Sequence, residues 1–342
     1  MPAAPVLLHH PASLHHETGQ HPEQPARMVA IARELEARDW LGWERVASPE
    51  VRRADLLAVH PERHLEAIEA AVARARDGRA HIDLDTVVSA GSLPAGLHAA
   101  GGAVALVDRL LDGAAPTGFS LHRPPGHHAE TARAMGFCLF NSVAVAARHA
   151  LAVRGLARVL VVDWDVHHGN GTEEIFSADP AVLYLSIHQS PLYPGTGPAS
   201  EVGSGAGRGF TVNLPVPARS GDDVFVSLVR DVAVPLARSF APQLVLLSAG
   251  FDAHAEDPLA NCEVTEAGYA AMAALMREFG EELAAPVGAV LEGGYALGAL
   301  GRSVAATMGA LAGGGAPDVD GVAVSELARA ARGRLAEYWP GL

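Results

Sequence analysis

Four of the six residues from Asp163 to His168 are acids or imidazoles: Asp163, Asp165, His167 and His168, in the segment VVDWDVHHGN. On an extended chain, residues two apart point to the same side. Asp163, Asp165 and His167 therefore share one face as an apolar strand runs out. Carboxylate oxygen and imidazole nitrogen together suit a borderline divalent metal, zinc above all. A catalytic zinc site usually keeps three protein ligands and an open position. Asp252, in SAGFDAHAEDP, also sits just past an apolar run and is the natural ligand to complete the set. His254, two residues on, is read as incidental.

His127 and His128 in RPPGHH are adjacent, and neighbours on one turn do not easily bind the same ion. Paired histidines opposite a metal suit general acid and base work. Each ring then needs a partner on its far nitrogen to set tautomer and orientation. Asp163 and Asn170 are available, one charged and one neutral, which would give the two rings different basicities. Tyr295 follows Gly293 and Gly294 in LEGGY. The glycines permit an unusual backbone path and close approach, so the phenol can reach into a crevice and donate to a developing oxyanion. Metal, base, acid and oxyanion donor are the parts of a metal-assisted amide hydrolysis.

These residues need a scaffold that brings them together. Short runs of Val, Leu and Ile alternate with longer Ala-, Leu- and Arg-rich segments of helical period, the pattern of a parallel sheet flanked by helices. Strands are expected at 117–122, 157–163, 182–187, 210–214, 243–248 and 287–291. Helices are expected at 25–39, 61–76, 93–112, 140–154, 222–240, 265–284 and 297–312, with a last one at 322–338 after a Gly/Pro turn. RPPGHH, DWDVHHGNGT, AGFDAHAEDP and EGGY each follow one of these strands. In open α/β sheets ligands bind beyond the carboxyl ends of the strands, so four strands deliver His, Asp and Tyr to one edge.

The chain has 342 residues, 49% of them apolar and 19% charged, which is ample for a deep core and within the range of one large α/β unit. No repeat or linker divides it, and residues 1–342 are read as one domain. The formal charge of −14 argues against a nucleic-acid groove. It would favour a cationic ligand through long-range steering. Cys138 and Cys262 do not make a disulfide framework. The N-terminus lacks a basic start followed by a long apolar core, and no apolar stretch reaches about 18 residues. A soluble protein of the reducing cytoplasm, with no membrane partner, is expected; the oligomeric state is not legible.

The motifs HPEQPAR (21–27), RPPGHH (123–128), GFCLFN (136–141), VDWDVHHGNGT (162–172), SIH (186–188), YPGTG (193–197), AGFDAHAEDP (249–258) and EGGY (292–295) together resemble the zinc-dependent histone deacetylases and their bacterial relatives. Asn170, where the other main branch tends to have Asp, is similar to the class II side. The resemblance implies an arginase-like α/β fold with a mainly parallel eight-stranded sheet. It implies zinc on Asp165, His167 and Asp252, and hydrolysis of an acetyl-lysine amide to acetate and amine by a metal-activated water. Tyr295 would then hydrogen-bond the amide oxygen. His128, oriented by Asn170, would be the main base and later acid, and His127, paired with Asp163, would give electrostatic support.

The same resemblance implies potassium held by Asp163, Asp165, His167, Ser186 and Ile187, and a second ion near Phe176, Asp179, Val182 and Phe210. Gly136, Phe137, Tyr193 and Leu259 would wall an acyl-lysine tunnel, with Gly293 and Gly294 beside it and Arg27 near an internal acetate pocket. The loops at 10–20 and 80–92 would frame the entrance, where only Asp83 or Asp85 could grip a substrate. The competing readings are an acetylpolyamine amidohydrolase, an inactive acyl-lysine-binding module and an arginase-type ureohydrolase.

Overall fold

The computed structural model describes residues 3–75, 78–315 and 317–342. Ten strands are present among them: β1 (Val6–His9), β2 (Glu44–Ala47), β3 (Arg79–His81), β4 (Val87–Ser89), β5 (Thr117–Ser120), β6 (Val159–Asp163), β7 (Val182–Gln189), β8 (Thr211–Val216), β9 (Leu244–Ala249) and β10 (Val287–Leu291). Eight of them form one sheet in the order β2-β1-β5-β10-β9-β6-β7-β8, and β3 and β4 make a separate pair. Every neighbouring pair in the large sheet is parallel, whereas β3 and β4 are antiparallel.

A parallel strand covered on both faces must be apolar throughout rather than alternating. VLVVD of β6, LVLLSA of β9 and VGAVL of β10 are buried at every position. Helices cover both faces, and the core accordingly has two parts, one on each side of the sheet. Close approach of one helix is built into the sequence. Gly118 of β5 and Gly288 of β10 are register partners, and a side chain at either would run into Leu106 of the helix Ser92–Leu111.

The six expected strands are all found, with ends within two or three residues of those expected. The expected helices are found as well, most of them shorter. The helix at 25–39 is Ala26–Glu36, and that at 322–338 is Glu326–Leu335, started by Ser325 accepting from the Ala328 amide. The helix at 61–76 is Glu62–Arg74; residue 76 lies outside the described residues. The helix at 222–240 divides into Asp222–Leu228, a wider π turn at Val229–Ala233, and Val234–Phe240. Pro235 has no amide hydrogen for the preceding turn, which accounts for the break. No helix of the described residues is long and apolar enough to cross a membrane.

Candidate active site and metal centre

The carboxyl ends of β5, β6, β9 and β10 are adjacent in the sheet, and the chemistry-bearing motifs leave from them. Asp163 is the last residue of β6, opposite Ser248 of β9 in register. Asp165, His167 and Asp252 are buried and form the one group of possible metal-ligating atoms found among the described residues, all within 4.8 Å of one another. His167 Nδ1 lies 3.1 Å from Asp165 Oδ1 and 3.2 Å from Asp252 Oδ2. The backbone holds the carboxylates. The Val166 amide donates to Asp252 Oδ1 at 2.9 Å and the Gly293 amide to Asp165 Oδ2 at 2.8 Å. Gly293 must be glycine, because a Cβ there would collide with both carboxylates.

The electrostatics of this trio call for a cation. Burial would lower the His167 pKa, but Asp165 and Asp252 carry it up to about 10. Burial, followed by the charge of Asp165, pushes Asp252 up to about 7. His167 and Asp252 hold on to protons firmly, while the charges of His127 and His167 overcome burial and hold the Asp165 carboxyl well below its usual range; together the three have the donor set, nitrogen and oxygen, that a borderline divalent ion prefers. The residues fit such an ion. His254 stands apart, its Nδ1 accepting from the Glu256 amide at 3.0 Å and its Nε2 3.5 Å from Glu266.

His127 and His128 lie above the trio, their ring centroids 4.1 Å apart. His127 Nδ1 is 3.0 Å from Asp163 Oδ2, and His128 Nδ1 is 2.8 Å from Asn170 Oδ1. Burial opposes charge on either ring. In His127 the Asp163 and Asp165 carboxylates overcome it and lift the pKa to about 10. In His128 burial is reinforced by the charges of His127 and His167, and the pKa falls well below the usual imidazole value. The two rings are thus pushed in opposite directions, His127 towards the charged form and His128 towards the neutral one, a separation that sets acid and base roles apart.

Tyr295 leaves Gly294, whose φ is +120°, and its amide donates to Asp257 Oδ2 at 2.7 Å. Its ring packs edge-on to Phe137 and lies under the Arg27 guanidinium at 5.0 Å. Among the described residues the phenol hydroxyl has no hydrogen-bond partner. A cavity of about 200 Å³ is lined by His128, Gly136, Phe137, His167, Tyr193, Leu259 and Tyr295, with Leu192 and Asp85 beside them. Gly136 and Phe137 have φ of +56° and +69°, and left-handed backbone at a non-glycine residue is a strain that folds concentrate at functional sites. A larger hollow of about 390 Å³ lies elsewhere, lined by Leu7, Met28, Trp40 and Leu121 among others, and shares no residue with this cavity. Size alone does not mark the site; the titratable groups do.

The remaining expected residues fall in three places. Arg27 is fully buried, its donors taken by the carbonyls of Gly294 and Glu292 at 2.7 and 2.6 Å and by Glu23 at 3.2 Å. Ser186 and Ile187 lie on β7, Ser186 in register with Asp163. Phe176, Asp179, Val182 and Phe210 lie towards the opposite end of β7 and before β8; Phe176 and Phe210 carbonyls accept from the amides of Asp179 and Tyr184.

Several supporting groups lie outside the expected set. Glu292 is buried, pushed up to about 7 chiefly by burial, and its carboxylate accepts from the amides of Gly126 and His127 and from Ser248. Glu23 holds Arg123 and Arg27. Tyr184 donates to Asp163 Oδ2 at 2.9 Å. Glu292, Glu23 and Arg123 were in view, since EGGY, HPEQPAR and RPPGHH each carry one; a charge inside an otherwise Gly- and Pro-rich motif is the signal. Tyr184, within an apolar strand, offers none.

A sequence profile of the histone deacetylase domain matches residues 21–311. Histone deacetylase 14, chloroplastic, of Arabidopsis thaliana is 40% identical over 318 residues, covering 88% of this chain and 75% of its own. A probable deacetylase of Methanothermobacter thermautotrophicus is 42% identical over 313 residues, 90% of this chain and 91% of its own. The crystal structure of the HDA15 HD domain superposes with a TM-score of 0.91 at 36% identity, covering 99% of this chain and 96% of that one. The chain belongs to the histone deacetylase family.

Proposed function

We propose that the whole chain works as one zinc-dependent deacylase, hydrolysing the amide of an N-acetylated lysine side chain, in a protein or a small conjugate, to acetate and free amine. The observation that carries this reading is the cavity lined by His128, Tyr295 and His167, the last of these grouped with the buried Asp165 and Asp252. Zinc held by Asp165, His167 and Asp252 would supply Lewis acidity to the amide carbonyl and acidity to a water beside it.

The chain's own residues do the rest. Phe137, Tyr193 and Leu259 line the passage and contact the lysine methylenes, while Gly136, Gly293 and Gly294 let the backbone come close. His128 donates Nδ1–H to Asn170 Oδ1, which leaves Nε2 with its lone pair. That nitrogen takes a proton from the attacking water and returns it to the departing amine. His127, cationic through Asp163, offsets the negative charge that develops. The Tyr295 hydroxyl, without another partner among the described residues, donates to the oxyanion. Two potassium sites belong to the proposal, one at Asp163, Asp165, His167, Ser186 and Ile187 and one at Phe176, Asp179, Val182 and Phe210. The free, buried Cys138 and Cys262 support a reducing compartment such as the cytoplasm.

Metal analysis combined with turnover of an acetyl-lysine peptide tests this. The purified protein should carry one zinc per chain and hydrolyse the peptide. Asp252→Ala should lose both metal and turnover. An Asp252→Ala protein with stoichiometric zinc and native turnover would overturn the assignment.

A further inference from the structure

We infer that Glu130 is the third member of a relay, His128–Asn170–Glu130, and acts as a positioning residue for the base. The inference rests on the reading of His128 as that base. Asn170 is the first residue of the helix Asn170–Phe176 and is buried. Its side-chain amide is held at both ends. Oδ1 faces His128 Nδ1 at 2.8 Å, and Nδ2 lies 2.9 Å from Glu130 Oε1 and 3.4 Å from Met135 Sδ.

The two ends of an amide are alike in shape and opposite in role, so something must decide which way it points. An ionised carboxylate and a thioether can only accept, so Glu130 and Met135 both require the NH₂ end. The carbonyl end is then left for His128, which must answer with Nδ1–H and keep its lone pair on Nε2. The reversed amide would aim an N–H at His128 Nδ1. That nitrogen would become an acceptor, the proton would sit on Nε2, and the ring could no longer take one from water. A carboxylate at position 170 would need no such help, because it accepts at either oxygen. Asparagine does need it, and Glu130 supplies it while polarising the amide towards His128.

Glu130 is well placed to stay put. Its backbone amide bonds the Arg133 carbonyl at 2.9 Å, closing a small turn between the histidine pair and Gly136. Its side chain is half-buried in the wall of a groove of about 350 Å³ that shares Asp85 and Tyr193 with the catalytic cavity. It touches neither the metal trio nor the space a substrate amide would occupy, and acts only through Asn170.

The test is a double-mutant cycle read in kcat, KM and metal content. Glu130→Ala should lower kcat about 10- to 100-fold, the usual loss when an orienting partner behind a functional side chain is removed, with KM and zinc content unchanged. Glu130→Gln, which can still offer a carbonyl oxygen, should fall in between. In an Asn170→Asp background the sign should change. There Glu130 faces a second carboxylate, a like charge, and Glu130→Ala should leave kcat level or raise it. Native kcat in Glu130→Ala overturns the inference, as does a loss confined to KM or an equal loss in both backgrounds. His128→Ala, measured alongside, separates the two claims. If it keeps turnover, the base assignment falls. If it is inactive while Glu130→Ala is native, the relay alone falls.

Discussion

Replacing Glu23 by Gln removes one negative charge from a place that water does not reach. Glu23, Arg27 and Arg123 are all fully buried. Arg123 grips the carboxylate with both prongs, Nε to Oε1 at 2.5 Å and Nη2 to Oε2 at 2.6 Å. Arg27 Nη1 adds a contact at 3.2 Å and His16 Nε2 one at 3.3 Å. Burial alone would raise the Glu23 pKa, but Arg123 and His16 outweigh it and hold the carboxyl well below its usual range. Glutamine keeps the volume, yet it turns an NH₂ towards one prong and leaves both arginines without a counter-charge. Breaking a buried pair from one side costs about 3–5 kcal/mol. At roughly 2 cal/mol/K per residue the unfolding entropy of a chain this long is about 0.7 kcal/mol/K, so ~4 kcal/mol corresponds to a fall in Tm of about 6 °C. Urea unfolding by tryptophan fluorescence and a thermal melt at pH 7 would measure it. The carboxylate's contribution is present above the unfolded pKa of about 4.5 and is lost as pH falls through the lower folded value. The gap between native and variant should therefore narrow only below about pH 4.5. A Tm within 1 °C or so of native at pH 7 would mean that the cost of burying these charges cancels their attraction, and the reasoning would fail.

Tyr295→Phe should fold with native stability, since the hydroxyl bonds nothing in the described residues, and should lose roughly 10²–10³ in kcat; near-native turnover would place the oxyanion donor elsewhere. Leu259 lines the cavity, so a native preference for an acetyl-lysine peptide over N-acetylspermidine is expected, with Leu259→Glu moving the kcat/KM ratio towards the polyamine. Asp85 is the counterweight, a carboxylate on the same cavity. A native enzyme that already favours N-acetylspermidine would show that Asp85, not Leu259, sets the choice.

The central strands were legible because burial on both faces leaves unbroken apolar runs, as in VLVVD and LVLLSA. The two outer strands beside β5 were not. β1 is four residues long and merges into a histidine-rich turn, while β2, ERVA at the sheet edge, is mostly exposed and has no apolar run to notice. The pair β3–β4 is similarly short. Asp165, His167, Asp252, His127, His128 and Tyr295 could be read from residue type and their place after strands. Asp163 and Asn170, the partners of the histidine pair, could be read as well. What Glu292, Glu23 and Glu130 support could not: they act through backbone amides, buried arginines and an amide side chain far away in sequence, and only folding shows which groups those are.

Strand β10 is the last of the sheet to be made and lies in its middle, between β5 and β9. Until residue 291 exists, the chain can pair β2-β1-β5 and β9-β6-β7-β8 only as separate pieces, each with an uncovered edge. All three metal-trio residues belong to the second piece and the histidine pair follows the first, so synthesis brings them together late. A product cut short before Val287 would thus keep every member of that trio and both histidines, yet present two sticky β edges instead of a working pocket. The same strand that delivers Tyr295 is the keystone of the assembly, which makes the stretch from Val287 onward, about the last sixth of the chain, the part whose loss proteolysis or premature termination would turn most directly into aggregation.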